Sequence, residues 1–289
     1  MREALGDVAA GLLPLSVRDL ENEVAQRLAR IPTDLNEYGF DPFGFNPEVA
    51  RPTLSLLAIL HRHYFRVEAS GVAGVPPGRV LLVANHAGQL PFDGAMIATT
   101  LLLEGDTPRL VRSLFEYWLP RIPWFNVLLN RNGQVVGTAE NGRALLEAEE
   151  CVLAFPEGVR GISKPFAKRY QLQRFGHGFA RLALETRAPV VPVAVVGSEE
   201  QQPGLANLEG LARALGIPSF PITLGFPWLG PLGLLPLPVK YRIYFGEPIQ
   251  LEGDFDGDDV AIAGEVERVR DALDGLIAQG RSERSGIFS

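Results

Sequence analysis

The chain has 289 residues, of which 46% are hydrophobic, so it can bury the core of one large domain. Its formal net charge of -7 argues against nucleic acid as a partner, because nucleic-acid binding rewards concentrated lysine and arginine. No disulfide framework, signal peptide or transmembrane helix is expected, since there is one cysteine, the first residues include acids, and breakers interrupt every long apolar run.

The first 47 residues are predicted to form a helical extension and a linker. The extension is an amphipathic helix over residues 16–31, with an apolar stripe at helical spacing: Val17, Leu20, Val24, Leu28 and Ile31. This stripe favours packing on the main domain, and a membrane-surface or partner helix is the alternative. The linker, residues 36–47, combines glycines and prolines that prevent regular structure with aromatic side chains that anchor it to a surface.

Residues 48–280 are predicted to form the main domain, followed by a mobile tail over residues 281–289. The predicted elements are a helix over 48–64, a strand over 79–84, a helix from Pro91, a helix and strand over 139–149 and 151–155, a helix and strand over 178–186 and 189–196, a sheet-edge strand over 239–245 and a helix over 258–278. Strands that alternate with helices predict an α/β fold with a largely parallel mixed sheet flanked by helices.

A histidine and an aspartate follow the first predicted strand, in the segment Asn-His-Ala-Gly-Gln-Leu-Pro-Phe-Asp from Asn85 to Asp93. Pro91 suits the first turn of a helix, and Asp93 favours the positive helix N-terminus. His86 is therefore expected at the carboxyl end of a parallel strand, where open α/β sheets bind ligands. An imidazole held by a carboxylate can act as a general base, so His86 and Asp93 are the predicted catalytic pair.

The segment Phe-Pro-Glu-Gly-Val-Arg-Gly, residues 155–161, follows another apolar strand. Together the two segments resemble the paired motifs of the glycerolipid acyltransferase superfamily, which includes the lysophosphatidic acid acyltransferases. The resemblance spans roughly residues 50–250, and its second motif matches closely. The first motif commonly leaves four residues between histidine and aspartate, whereas six intervene here, so we expect Gln89, Leu90 and Pro91 to bulge outward.

The resemblance implies a fold like that of glycerol-3-phosphate acyltransferase and an O-acyltransferase activity. Such an enzyme moves a fatty acyl group from acyl-CoA or acyl carrier protein to a hydroxyl of a glycerolipid such as lysophosphatidic acid. His86 would deprotonate that hydroxyl, while Asp93 would fix the tautomer of the imidazole. The thioester is a co-substrate, and no bound cofactor or metal is expected. An enzyme of phospholipid biosynthesis would be cytoplasmic and peripherally associated with the inner face of the membrane.

The implied substrate-binding residues lie in or near the two motifs: Asn85, Gly88, Arg131, Glu157, Gly158, Arg160 and Lys164. Arg160 is the candidate phosphate clamp, because a guanidinium pairs bidentately with phosphate oxygens. Gly88 would let the backbone approach the thioester, Glu157 would orient the arginine or the acceptor, and Gly158 would permit a tight turn. The basic run Lys164, Lys168, Arg169 and Arg174 is either a solvated face or a contact for the phosphates of coenzyme A or a lipid headgroup.

The acceptor and the reaction have alternatives. The family tends to carry an arginine where Thr138 or Ala139 stands here, and Arg131 lies upstream of that position. An uncharged mono- or diacylglycerol is therefore an alternative acceptor. The unusual spacing of His86 and Asp93 also leaves open a non-catalytic, lipid-binding, membrane-associated protein, and water in place of the acceptor would give a hydrolase.

Other chemically active side chains are interpreted as structural. His61, His63 and His177 lie near predicted helix ends, and Cys151 lies in a predicted buried strand. From Ile217 to Pro238 the chain is almost wholly apolar, yet its prolines exclude a spanning helix. This segment is a packed loop, an acyl-chain wall or a loop that dips into a lipid monolayer, for which Trp228 is suited.

Overall fold

The computed structural model describes residues 15–87, 90–116, 124–208, 210–212 and 220–288. Its main sheet contains β1 (Glu68–Ser70), β2 (Val80–Ala84), β3 (Val111–Phe115), β4 (Val135–Val136), β5 (Cys151–Ala154), β6 (Val190–Val196) and β9 (Arg242–Phe245). A separate antiparallel pair consists of β7 (Gly204–Asn207) and β8 (Pro221–Thr223). The helices are α1 (Leu15–Leu28), α2 (Pro47–Ile59), α3 (Phe92–Leu103), α4 (Phe125–Arg131), α5 (Ala139–Glu147), α6 (Val159–Ile162), α7 (Gly178–Thr186) and α8 (Asp259–Glu283).

The main sheet has seven strands in the order β1-β9-β6-β2-β5-β3-β4. The five strands from β6 to β4 are parallel, whereas β9 runs antiparallel to β6 and parallel to β1. The predicted largely parallel mixed sheet is therefore confirmed. Because β2 lies between β5 and β6, the carboxyl ends of these three strands meet at one edge of the sheet.

Helices cover both faces of the sheet, and strand side chains alternate between two cores. Leu81 and Val83 of β2 pack in a cluster that includes buried residues of α5, α7 and α8. Leu82 and Ala84 face the other way, toward Met96 and other residues of α3. Strand β2 is buried along its whole length, so the segment that follows it begins from a fixed position.

The amino-terminal helix packs on the domain. Leu20, Val24 and Leu28 of α1 form a third buried cluster with residues of α2 and α3. Arg62, in the π-helical turn that follows α2, donates to Glu23 of α1 at 2.8 Å. The central residues of the predicted apolar stripe are thus buried against the domain, whereas Val17 and Ile31 at its ends are partly exposed.

The predicted edge position of β9 was wrong, because β1 pairs with the outer side of β9 and is itself the edge strand. The segment predicted as a mobile tail makes contacts with the domain, since α8 continues to Glu283 and Arg284 pairs with Glu200 at 2.8 Å. A backbone hydrogen bond of 3.0 Å from Lys240 to Ile287 fixes the segment beyond it.

The histidines outside the first motif and the cysteine take structural positions. His61 is buried and shares a 2.9 Å hydrogen bond with Thr100 Oγ1. Burial, with Arg62 nearby, lowers the pKa of His61 to about 4. His177 Nδ1 lies 3.0 Å from Asp259, at the junction of α7 and α8. Burial raises the pKa of the Cys151 thiol to about 11, as expected for a core residue.

Candidate active site

Three polar segments meet at the carboxyl ends of neighbouring strands. The first motif follows β2, the second motif follows β5, and a buried polar turn, Ser198–Gln202, follows β6. In parallel sheets such a junction is the usual ligand crevice. The sequence predicted the first two segments, and the third was not singled out.

His86 and Asp93 meet despite the six residues between them. His86 Nδ1 lies 2.7 Å from Asp93 Oδ2, in the first turn of α3. Asp93 is fully buried and also accepts the backbone N–H groups of Ala87 and Gly94, each at 2.8 Å. These donors and the helix N-terminus stabilise the ionised carboxylate. The expected hydrogen bond is present, and Gln89 of the expected bulge lies outside the described residues.

The orientation of the imidazole follows from its neighbours. An ionised carboxylate only accepts hydrogen bonds, so Nδ1 carries a proton and Nε2 retains its lone pair. The ring of Phe155 stacks on the imidazole with centroids 4.1 Å apart and an interplanar angle of 23°. Within the described part of the chain, no group bonds to Nε2. His86 therefore presents one basic nitrogen from a fixed ring.

Asn85 does not face the crevice, which corrects its assignment to substrate binding. Its side chain is fully buried and donates to Val195 O at 3.1 Å while accepting from Val195 N at 2.8 Å. These two side-chain hydrogen bonds to the backbone of β6 take the place of backbone hydrogen bonds between the strands, one residue beyond the end of β2. Asn85 thus positions His86 by attaching the end of β2 to β6.

The two motifs approach each other so closely that Gly161 has no room for a side chain. A Cβ at this position would lie 2.8 Å from His86 O and 3.1 Å from His86 Cβ. Gly158 has a φ of +54°, a backbone conformation that favours glycine, and it directly precedes α6. The sequence predicted a tight turn at this glycine. Both glycines let the second motif pass directly over the first.

Glu157 connects the motifs rather than orienting Arg160. It is buried, and its Oε1 accepts the backbone N–H of His86 at 3.2 Å. Its Oε2 accepts the backbone N–H of Gln173 at 2.7 Å. This carboxylate therefore fixes the main chain on which the imidazole is carried.

Lys164 is buried between carboxylates, which contradicts its assignment as a free phosphate or headgroup contact. Its Nζ lies 2.9 Å from Glu199 Oε1 and 3.7 Å from Glu157 Oε2, and its side chain is 4% exposed. Burial raises the pKa of Glu199 to about 7, although Lys164 acts in the opposite direction. The ammonium thus links the second motif to the turn after β6.

The remaining predicted residues have different surroundings. Arg160 is exposed, and it makes no hydrogen bond or ion pair within the part of the chain that the structure describes. The guanidinium of Arg131 lies 3.8 Å from the ring centroid of Phe40 in the linker, and the structure does not bring it to either motif. Gly88 lies outside the described residues. Lys168, Arg169 and Arg174 are exposed, consistent with the solvated-face interpretation.

Sequence reasoning missed Glu199 and Gln202, which line a pocket beside His86 together with Ala87, Gly161, Lys164 and Phe166. The available signal was the polar run Ser198–Gln202 directly after a predicted buried strand. The burial of this polar run depends on two partners: Lys164 pairs with Glu199, and the hydroxyl of Tyr170 donates to Glu200. Those partners are distant in sequence, so the run alone resembles an exposed turn.

Comparisons with known proteins agree with this architecture. Residues 66–196 match the family model described as Acyltransferase. A Mycobacterium tuberculosis relative named "Uncharacterized protein Rv0502" is 39% identical, over 97% of this chain and 81% of its own length. A human relative named "DGAT1/2-independent enzyme synthesizing storage lipids" is 26% identical, over 77% of this chain and 64% of its own length.

Among solved structures, a similar one is the 1-acyl-sn-glycerophosphate (LPA) acyltransferase PlsC from Thermotoga maritima. It is 17% identical, covers 80% of this chain and 82% of that chain, and has a TM-score of 0.49. The family match includes β2, β5 and β6 and both motifs at their carboxyl ends. Residues 66–196 therefore form a domain of the acyltransferase family, and they carry the paired motifs of the glycerolipid acyltransferase superfamily.

Proposed function

We propose that this acyltransferase moves a fatty acyl group from an acyl thioester, acyl-CoA or acyl carrier protein, to a hydroxyl of a glycerolipid. The observation that supports this most is the 2.7 Å hydrogen bond from His86 Nδ1 to the buried Asp93, which leaves Nε2 as the nitrogen that can take a proton from an acceptor. General-base catalysis needs an unprotonated nitrogen with a fixed direction.

In the proposed reaction His86 Nε2 takes the proton of the acceptor hydroxyl as its oxygen attacks the thioester carbonyl. Asp93 stabilises the imidazolium that forms. Collapse of the tetrahedral intermediate breaks the carbon–sulfur bond, and the imidazolium returns its proton to the departing thiolate. The products are an ester and a free thiol, so no covalent acyl-enzyme is required.

Two acceptor classes remain in this proposal. Lysophosphatidic acid would suit a phosphate clamp at Arg160, which is exposed and close in sequence to Gly158 and Gly161. A mono- or diacylglycerol is the second class. The pairing of Lys164 with carboxylates favours this uncharged class, because the ammonium is already compensated by negative charge. The name of the human relative, which refers to storage lipids, is compatible with it.

A peripheral contact with a lipid surface is part of the proposal. The stretch from residue 214 to residue 239 contains no charged residue. Within it Leu224, Trp228, Leu229, Leu232 and Leu235 are between 62% and 74% exposed, so the packed-loop interpretation does not hold for them. Exposed apolar patches of this kind mark interaction sites. A hydrocarbon surface is the partner that matches an apolar patch without charges, and Trp is suited to the lipid interface.

The described part of this stretch, residues 220–239 and called the apolar loop below, is attached to the turn Ser198–Gln202. Leu237 N donates to Gln201 O at 2.7 Å, and the side chain of Gln202 donates to Leu234 O. Tyr64 Oη donates to Pro236 O at 2.6 Å on the other side. A lipid drawn from the surface would therefore reach the pocket along the base of this loop. No helix in the described residues is long and apolar enough to span a bilayer.

Acyl transfer is tested with purified protein, labelled acyl-CoA and a panel of lysophosphatidate, glycerol 3-phosphate, monoacylglycerol and diacylglycerol, read by mass spectrometry. We expect an acylated glycerolipid product, and His86→Ala should lower turnover roughly 10²–10⁴-fold, the usual contribution of a general base. Circular dichroism checks that the variant is folded. Thioester consumption that yields only free fatty acid would indicate a hydrolase, and no consumption would indicate a lipid-binding protein.

A further inference from the structure

The pocket beside His86 contains a buried ion pair that general-base chemistry does not require. Ala87, which follows His86 in the chain, lines this pocket together with Gly161, which packs against the main chain and Cβ of His86. Lys164 and Glu199 form a polar wall with an Nζ to Oε1 distance of 2.9 Å. Glu157 joins this wall to the histidine, since it accepts the N–H of His86 and lies 3.7 Å from Lys164 Nζ. We infer that an acceptor at His86 places the substituent of a neighbouring glycerol carbon at this wall.

The charges on that wall do not sum to a positive value. The two oxygens of Glu157 accept the backbone N–H groups of His86 and Gln173, an arrangement that suits a carboxylate. One ammonium, Lys164, thus faces two carboxyl groups, Glu157 and Glu199. The cluster carries a net charge of about -1 when Glu199 is ionised and about zero when it is protonated.

Such a wall discriminates between acceptors by their charge. A phosphate monoester carries about -1.5 to -2 charges near neutral pH, so it would meet like charge at a buried site. A neutral hydroxyl can instead donate to the Glu199 carboxylate or accept from the amide of Gln202. Resting on the proposed acyl transfer, we propose that Glu199 is a specificity-determining residue that admits an uncharged glycerol substituent and disfavours a phosphate.

The same geometry predicts how the preference depends on pH. The charged groups that face Glu199 are Lys164 and Glu157, and the backbone of Tyr170 donates to its carboxyl group. Because Glu199 titrates at about 7, its negative charge is present above that pH and lost below it. Discrimination against an anionic acceptor should therefore weaken as the pH falls from about 8 to about 6.

The test compares the full chain with Glu199→Gln, which keeps the shape of the side chain and removes its charge. The quantity measured is kcat/KM for monoacylglycerol, which carries a free hydroxyl where lysophosphatidate carries its phosphate, divided by kcat/KM for the methyl ester of lysophosphatidate. Both are presented in uncharged detergent micelles with one acyl-CoA. The methyl ester is a phosphodiester whose single charge does not titrate in this pH range. Glu252→Gln, an exposed residue outside the pocket, is the matched control.

We expect the wild-type ratio to favour monoacylglycerol and Glu199→Gln to lower it roughly tenfold, as for one unit charge about 10 Å away at an effective dielectric constant of about 20. The control should keep the wild-type ratio. A wild type that prefers the anionic acceptor, or a ratio unchanged in Glu199→Gln, would overturn the inference. If that variant does not fold, the pH dependence of the wild-type ratio decides, since a flat ratio contradicts the role of Glu199. Absence of product with every acceptor would instead refute acyl transfer itself.

Discussion

Three neighbours determine what His86 can do. Asp93 fixes the proton on Nδ1, Phe155 fixes the plane of the ring, and Glu157 fixes the main-chain amide of the residue. In the proposed reaction, an imidazole held from three sides would lose little conformational entropy when the acceptor binds. Changing any one of these neighbours would therefore alter the direction of Nε2 without removing the nitrogen itself.

His61 should make the fold less stable in mild acid. The unfolded chain takes up a proton at His61 as the pH falls below about 6.5, whereas the folded chain resists protonation until about pH 4. The free energy of unfolding should thus decrease across this window, by up to about 3 kcal/mol from this group when it is complete. Denaturant titrations at several pH values measure the effect.

The neighbouring His63 is exposed and provides the control for this measurement. His61→Gln keeps a donor near Thr100 but removes the titration, so its unfolding free energy should vary less between those pH values. His63→Gln should retain the wild-type pH dependence. An equal slope in wild type and His61→Gln would assign the acid sensitivity to other groups.

Contacts within one short segment were predictable, and contacts with a partner distant in sequence were not. The hydrogen bond between His86 and Asp93 could be predicted because one strand and the next helix carry both residues. Asn85 was misassigned since its partner, Val195, belongs to another strand. Lys164 was misassigned because a basic run looks solvated until Glu199 is known to lie beside it.

At the scale of elements, the close approach of α6 to the first motif should be sensitive to one methyl group. In Gly161→Ala the new Cβ would lie 2.8 Å from His86 O, so the two motifs must separate. Displacements of catalytic groups by about 1 Å can cost roughly 10²-fold in rate. We expect a loss of kcat of that order, measured by acyl transfer, with a folded protein.

Gly264→Ala is the matched control, since a Cβ at Gly264 in α8 meets no atom within 4 Å. Alanine should raise the stability of that helix by about 0.5–1 kcal/mol and leave turnover unchanged. Wild-type turnover in Gly161→Ala would mean that the second motif can shift without disturbing His86.

Strongly periodic or wholly buried elements were predicted well. Helix α7 has the predicted bounds, and the strands that carry the motifs lie within one residue of their predicted starts. The prediction that β9 lies at the sheet edge was wrong because its outer neighbour, β1, could not be predicted. Strand β1 has only three residues and no sequence pattern of its own. Strand order depends on such pairings, which no single segment encodes.

At the scale of the whole molecule, the apolar loop and the site face a common partner in our proposal. The loop keeps its shape through close backbone packing, since a Cβ on Gly225 would lie 2.8 Å from Gly233 Cα. Thr223 Oγ1 also accepts the N–H of Phe226 at 2.9 Å. An ordered loop can present apolar side chains to a lipid surface at little conformational cost.

Removing apolar side chains from this loop should weaken membrane binding. Trp228→Ser combined with Leu229→Ser should reduce sedimentation with vesicles of phosphatidylcholine and phosphatidylglycerol by roughly tenfold or more, because each buried side chain contributes about 1.5–3 kcal/mol. Val260→Ser replaces an equally exposed apolar residue of α8 and serves as the control. Equal sedimentation of wild type and double variant would exclude this loop as the contact, and a change in oligomeric state instead would indicate a second copy of the chain as its partner.

The hydrogen bond between His86 and Asp93 also bears on how related enzymes are recognised. Strand β2 and helix α3 fix the two ends of the connecting loop, so its length can change while the imidazole and the carboxylate stay in contact. A search pattern with a rigid interval of four residues would pass over this chain, where six intervene. A definition in three dimensions, with the imidazole at the end of a central strand and the carboxylate in the first turn of the next helix, would include it.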